Sequence, residues 1–285
     1  VSMQSVVIAA DERVLVGSEL PHADREALRL AVRSLEGPSF AAKLSDLAGR
    51  PIELLGRALP ERVAGMVSEA TASTLRQALR LVLLTVPKDR PDPQTRTHRA
   101  LATLTGAMGG AFGVAALPVE LPVSTTIMLR AIARIAQSEG EDLRDPEAAL
   151  ACLQVFALAG RTGHLHESGY FAARAAMARS VIHAARQIAE RGLIDETSSA
   201  MVRLLAQIGA RFGVTVSQKA AAQAVPVLGA VSGAAINAAF THYFQSLAKG
   251  HFTVRRLERR HGKAVVRRAY EQIMREEGLA GRPTP

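Results

Sequence analysis

Two long stretches of this chain carry almost no charge. Ala100 to Leu129 holds one charged side chain, Glu120, in thirty residues, and Ala220 to Ala248 holds no Asp, Glu, Lys or Arg in twenty-nine. Elsewhere apolar residues recur at helical spacing. Leu28, Val32 and Leu35 predict a helix opened by Pro21 and stopped by Gly37-Pro38. Ser39 opens a second, with Phe40, Leu44 and Leu47 inward. Pro51 opens a short third. From Pro60 to Val86, Val63, Val67, Ala70, Leu75, Leu79, Val82 and Leu83 mark one face of a long helix. No strand alternation follows residue 20. Residues 4–20 read as a short hairpin or irregular arm.

The later chain continues the pattern. The first glycine-rich helix is expected from His98 to Leu117. A Pro-Val-Glu-Leu-Pro break and a helix from Val123 to Ser138 follow. Asp145-Pro146 is an N-cap with proline at the first helical position, opening a buried helix over 147–159. A polar loop over 160–168 leads to an Ala-rich helix from Gly169 to Arg191. A helix over 197–212 is expected to end at Gly213, followed by a short one from Ser217 to Val225. The second glycine-rich helix runs from Pro226 to Ala248, and a basic tail from Lys249 to Glu277 is broken at Gly262. Three parts result: an arm (1–20), an N-terminal helical subdomain (21–86), and a helical core with a basic tail (98–277). Residues 88–97, rich in proline and charge, connect the last two.

Gly106, Gly109, Gly110 and Gly113, like Gly229 and Gly233, sit at small-xxx-small spacings that let helix backbones approach closely. Each glycine costs about 1 kcal/mol of helix propensity relative to alanine, so close packing must offset it. Such a pair could be a membrane-inserted hairpin or a buried pair in a water-soluble core. The stretches contain Ala, Gly and Thr rather than Leu and Ile. Placing Glu120 in hydrocarbon would cost roughly 2.5 kcal/mol or more. The buried pair is therefore expected, with docking onto a membrane surface as an intermediate case.

Composition supports an all-α fold, a multi-helix bundle around this Gly/Ala-rich pair. Hydrophobic residues make up 48% but aromatics only 4%, without Trp, so the apolar surface is small and helix-favouring. The net charge of +9 favours anionic partners. In the tail, nine Lys or Arg stand against four Glu. Arg255, Arg256, Arg259, Arg260, Lys263, Arg267 and Arg268 form a candidate dock for anionic lipid headgroups. Alternatively they form a solvated face balanced by Glu258 and Glu271. Nucleic acid is not expected, because no reading helix or aromatic stacking platform is evident. One cysteine, Cys152, excludes an internal disulfide. The opening residues lack the basic start and apolar core of a signal peptide, so a cytoplasmic chain is expected, or one peripheral on the inner face of the cell membrane.

Candidate chemistry is sparse. Glu120, between Pro118 and Pro122, reads as a capping anion for the helix at Val123, or else as a ligand-binding carboxylate. His164, His166 and Glu167 could ligate a metal if the segment is extended, but no His-Glu-x-x-His is present. The alternative is a polar loop in which Glu167 and Ser168 cap the next helix. Gly-x-Ser-x-Gly is absent, and Cys152 reads as an inert core thiol. Polar residues beside or within apolar stretches complete a candidate ligand set: Glu120, Glu167, Tyr170, Asn237 and His242. No cofactor is expected.

Three ordered segments carry a family resemblance: LTGAMGGAFGVAALPVELPVSTTIMLRAIARIAQSEGEDLRDPE, HESGYFAARAAMAR and AVPVLGAVSGAAINAAFTHYFQSLAKGHFTVRRLERRHG. Together they resemble the bacterial EcsC family over about residues 85–275, with support upstream from GRPIELLGRALP. The resemblance implies a helical protein, encoded in some bacteria beside an ABC transporter, and supplies no established activity. It does not extend to a metal role for His164 and His166, because the family more often has Asp and Ser there. The leading expectation is a non-enzymatic accessory protein. It would bind lipid or another apolar ligand and dock on anionic membrane through its basic C-terminal helices. The alternatives are a hydrolase built on His164, His166 and Glu167, or an interaction module for a membrane transporter.

Overall fold

A computed structural model describes residues 20–48, 61–85, 117–159, 169–191, 198–223 and 229–279. The arm up to residue 19, the helix expected at Pro51, the linker, the first glycine-rich helix up to residue 116 and the 160–168 loop lie outside them. The described residues form an all-α bundle of nine helices without strands: α1 (His22–Glu36), α2 (Phe40–Ala48), α3 (Glu61–Thr85), α4 (Leu117–Ser138), α5 (Pro146–Leu158), α6 (Gly169–Arg191), α7 (Ser199–Gln223), α8 (Gly229–His261) and α9 (Lys263–Glu276).

The short helix α5 is the axis of the bundle. Asp145 accepts a hydrogen bond from the Glu147 N–H at 3.0 Å, and Pro146 occupies the first turn, where its missing N–H has no partner to lose. From Ala148 to Leu158 every residue is buried. A helix apolar all round can only sit inside others, and α3, α4, α6, α7 and α8 surround it. Phe156 packs on Phe212 of α7 and Phe244 of α8, with ring centroids 4.9 and 5.2 Å apart. Phe156, Phe212, Phe240 and Phe244 thus cluster where α5, α7 and α8 meet.

The long helix α8 contacts α1, α2, α4, α5, α7 and α9. It packs tightly on α1 at Gly250. A Cβ there would lie 2.9 Å from Leu35 Cγ and 3.1 Å from the Ala31 carbonyl oxygen. Gly262, at φ +86°, ends α8 and turns the chain into α9, which lies against α1.

Three expected boundaries are corrected. The break at residues 118–122 is absent: α4 runs unbroken from Leu117. Pro118 falls in the first turn, where unpaired N–H groups are normal, and Pro122 is accommodated one turn later. Gly213 does not end a helix, because α7 continues to Gln223 with Phe212 and Val216 fully buried on either side. The second glycine-rich helix does not stop at Ala248 but extends to His261.

Candidate functional site

Between α3 and α7 lies a half-open groove of about 470 Å³. Val67 and Leu75 of α3 and Val202 and Leu205 of α7 supply its apolar lining, and among the described residues Arg76 is its one charged lining residue. On α7 the lining continues through Ala206, Gly209, Ala210 and Gly213 to Ser217. Among the described residues, a Cβ at Gly209 would touch only Leu75 Cδ1, at 3.6 Å, and one at Gly213 would meet nothing within 4 Å. Val202, at one end, is half exposed. Arg76 is exposed and has no ion-pair partner among the described residues.

A buried ion pair joins α4, α7 and α8. Lys219 is wholly buried and Glu120 5% exposed. Lys219 Nζ donates to Glu120 Oε1 at 2.6 Å and to Asn237 Oδ1 at 2.8 Å, while Gln223 Nε2 donates to Glu120 Oε2 at 3.2 Å. The ammonium also lies 4.7 Å from the centre of the Phe240 ring. Burial lowers the Lys219 pKa, against the pull of Glu120. Glu120 therefore does not cap a helix starting at Val123. It stands in the first turn of α4 as the counter-ion of a lysine ninety-nine residues away.

A second buried network gathers α1, α6, α8 and α9. Arg174 makes a two-pronged bond to Glu258, each arm 2.9 Å, and also donates to Tyr170 Oη at 3.1 Å. Tyr170 Oη lies 3.0 Å from His251 Nδ1. With Arg174 donating to the phenol oxygen, the phenol proton is directed to Nδ1, which leaves the histidine proton on Nε2. That nitrogen is buried and has no hydrogen-bond partner among the described residues. Burial, then Arg174 and Arg255, hold His251 well below the usual histidine pKa. Burial also raises the Tyr170 phenol. Glu36 completes the network from α1, accepting from Tyr270 Oη at 2.9 Å and from the Tyr170 N–H at 3.1 Å. The second of these bonds caps the N-terminus of α6 with a carboxylate from another helix.

The basic residues of the tail divide into two groups. Arg255 bonds Glu141 at 2.8 and 3.1 Å, Arg256 bonds Glu139 at 2.7 Å, and Arg259 bonds both Glu141 and the Glu139 carbonyl. Together they clamp the α4–α5 turn. Burial disfavours charge on Glu141, yet Arg255 and Arg259 hold its carboxyl below the usual range. Arg260 reaches Asp24 at 3.4 Å and Arg267 pairs with Glu271 at 3.0 Å, both remaining more than half exposed. Lys263 and Arg268 are exposed.

Of the expected ligand set, Glu120 and Asn237 meet at Lys219, and Tyr170 belongs to the other network. His242 is exposed on α8 and joins neither, while Glu167, His164 and His166 lie outside the described residues. Sequence reasoning missed Lys219, Arg174, His251 and Arg76. Lys219 left a signal: it is the last charge before the second uncharged stretch, opposite in sign to the lone charge of the first. Arg174 and His251 gave none, because their partners are distant in the chain, and Arg76 reads only as part of the polar side of its helix. Cys152 is a buried thiol whose pKa burial raises. Among the described residues no three His, Cys, Asp or Glu side chains could hold a metal, and no helix is long and apolar enough to cross a membrane.

No curated protein and no solved structure matches the chain at a significant level. The profile of the EcsC protein family matches residues 15–257, which span every helix from α1 to α7 and nearly all of α8. On that match the chain belongs to the EcsC protein family.

Proposed function

We propose that this protein is a non-enzymatic accessory protein that holds an apolar ligand and sits peripherally on anionic membrane. The groove between α3 and α7 carries this reading. It is concave, lined by Val67, Leu75, Val202 and Leu205 together with Ser68, Arg76 and Ser217, and of a size typical for small-molecule sites. Membrane docking draws on the exposed cations at the α8–α9 corner, Arg260, Lys263, Arg267 and Arg268. Headgroup attraction amounts to about 1 kcal/mol per well-placed basic residue. Arg255, Arg256 and Arg259 already bind Glu139 and Glu141, so the docking set is smaller than the run of arginines suggests.

The test is vesicle flotation. The protein should float with vesicles containing anionic lipid and remain behind with zwitterionic ones. Rising salt should weaken the effect, because screening acts on exposed charges. Lys263→Glu with Arg268→Glu should abolish flotation, whereas Arg256→Gln should leave it largely intact. Absence from the floated fraction with both vesicle types removes the membrane half of the proposal.

A further inference from the structure

We infer that the end of the bundle where α4 and α8 begin and α7 ends dips into the interfacial layer of a lipid bilayer, with Val119 and Val123 against the acyl chains. The inference rests on the membrane half of the reading above. It adds an apolar contact to the electrostatic one at the α8–α9 corner.

The polarity of this end is inverted. A helix at a water-facing surface turns its polar residues outward and its apolar residues inward. Over their first turns α4 and α8 do the reverse. On α4, Glu120 and Ser124 are buried, while Val119 is 74% and Val123 42% exposed. Ser124 gives its hydroxyl to the Leu121 carbonyl at 3.2 Å, within its own helix. On α8, Asn237 is wholly buried, while Ala235 is exposed. Lys219, near the end of α7, turns inward to meet Glu120 and Asn237, which brings the three helix ends together. Polar groups paired inside with apolar side chains outside is the arrangement that lipid selects, because hydrocarbon offers a charge no partner of its own.

Charge follows the same division. Leu117 to Leu129 of α4, Phe212 to Gln223 of α7 and Gly229 to Ala248 of α8 contain one acid, Glu120, and one base, Lys219. These two neutralise each other at 2.6 Å, out of contact with the surroundings. The first exposed charge on α4 is Arg130, two turns beyond Val123 on the same stripe. An apolar stripe bordered by cations is the pattern of a helix lying at a membrane surface, where the cations meet headgroup phosphates. Ile182 of α6 is also exposed, but it stands between the exposed Arg179 and Arg186, one turn away on either side, and so belongs to an ordinary water-facing surface.

The length of α8 sets the orientation. Its 33 residues separate this end from the α8–α9 corner by about 48 Å. With both contacts made, α8 lies along the bilayer surface rather than across it.

The test uses the full chain with Cys152→Ala and a single new cysteine, Val119→Cys, Val123→Cys or Ile182→Cys, labelled with the polarity-sensitive dye NBD. Vesicles are equal parts phosphatidylglycerol and phosphatidylcholine. Labels at positions 119 and 123 should brighten about threefold or more, shift to the blue and be quenched by lipids spin-labelled in the acyl chain. The label at position 182 should change little. Val119→Asp with Val123→Asp should weaken vesicle binding about tenfold and leave Tm unchanged, because both side chains are exposed. If wild type floats with these vesicles while labels at 119 and 123 do not respond and the double Asp variant binds like wild type, the inference is overturned and docking through the corner stands. That outcome assigns the apolar end to a protein contact instead. If wild type does not float, the membrane reading and this inference both fall. An equal response from all three labels overturns the assignment to this end.

Discussion

Lys219 is fully buried among apolar residues, yet it is held by Glu120 and Asn237. Such a pair contributes little net stability, because desolvation of both ions offsets their attraction, but losing one partner strands the other. Glu120→Leu alone should therefore destabilise the protein by about 3–5 kcal/mol in urea unfolding. Glu120→Leu with Lys219→Met should recover most of that loss. Strictly additive single-variant effects would show that the two side chains do not depend on each other. His251 makes a separate prediction. Its folded-state pKa lies well below the usual 6.5, so below that pH the unfolded chain binds a proton that the folded protein refuses. Stability is complete above about pH 6.5 and falls as pH drops, by up to about 1.4 kcal/mol per unit from this group. His251→Gln, which keeps an acceptor for Tyr170, should flatten the pH 5–6.5 slope by about one proton. An unchanged slope would mean that other groups carry it.

The helices show which local signals dominate. Where a breaker met an exposed or terminal position, the sequence reading agreed with the structure: Pro21, Gly37-Pro38, Asp145-Pro146 and Gly262 mark helix ends. Two breakers inside long helices did not end them: Pro122 lies one turn into α4, and Gly213 follows the buried Phe212 in α7. Glycine is tolerated in a helix at about 1 kcal/mol, less than burying a large apolar side chain contributes. Two glycines on adjacent helices should therefore respond in opposite directions. Gly250→Ala forces a methyl against Leu35 and should cost about 1–3 kcal/mol. Gly213→Ala, facing open space, should gain up to about 1 kcal/mol. Chemical denaturation of the two variants in parallel checks this, and a loss at Gly213 would mean that the groove is packed shut.

Across the molecule, the all-α architecture was legible because periodicity, small apolar residues and caps agreed with one another. The polar clusters were not. Arg174 meets Glu258 across 84 residues and Arg256 meets Glu139 across 117, separations that no local pattern encodes. The basic tail illustrates the cost: seven cations read as a surface patch, but three of them clamp the turn between α4 and α5.

The ends of the bundle carry one more consequence. Arg25 and Arg29 of α1 grip Glu276 at 2.6 and 2.9 Å, Arg33 holds Glu277 at 2.8 Å, and Glu36 takes the Tyr270 hydroxyl. The first and last described helices are therefore stitched side by side. A rearranged gene that links α9 directly to α1 and opens the chain elsewhere should still find this fold, since the join would span a seam that the side chains have already closed.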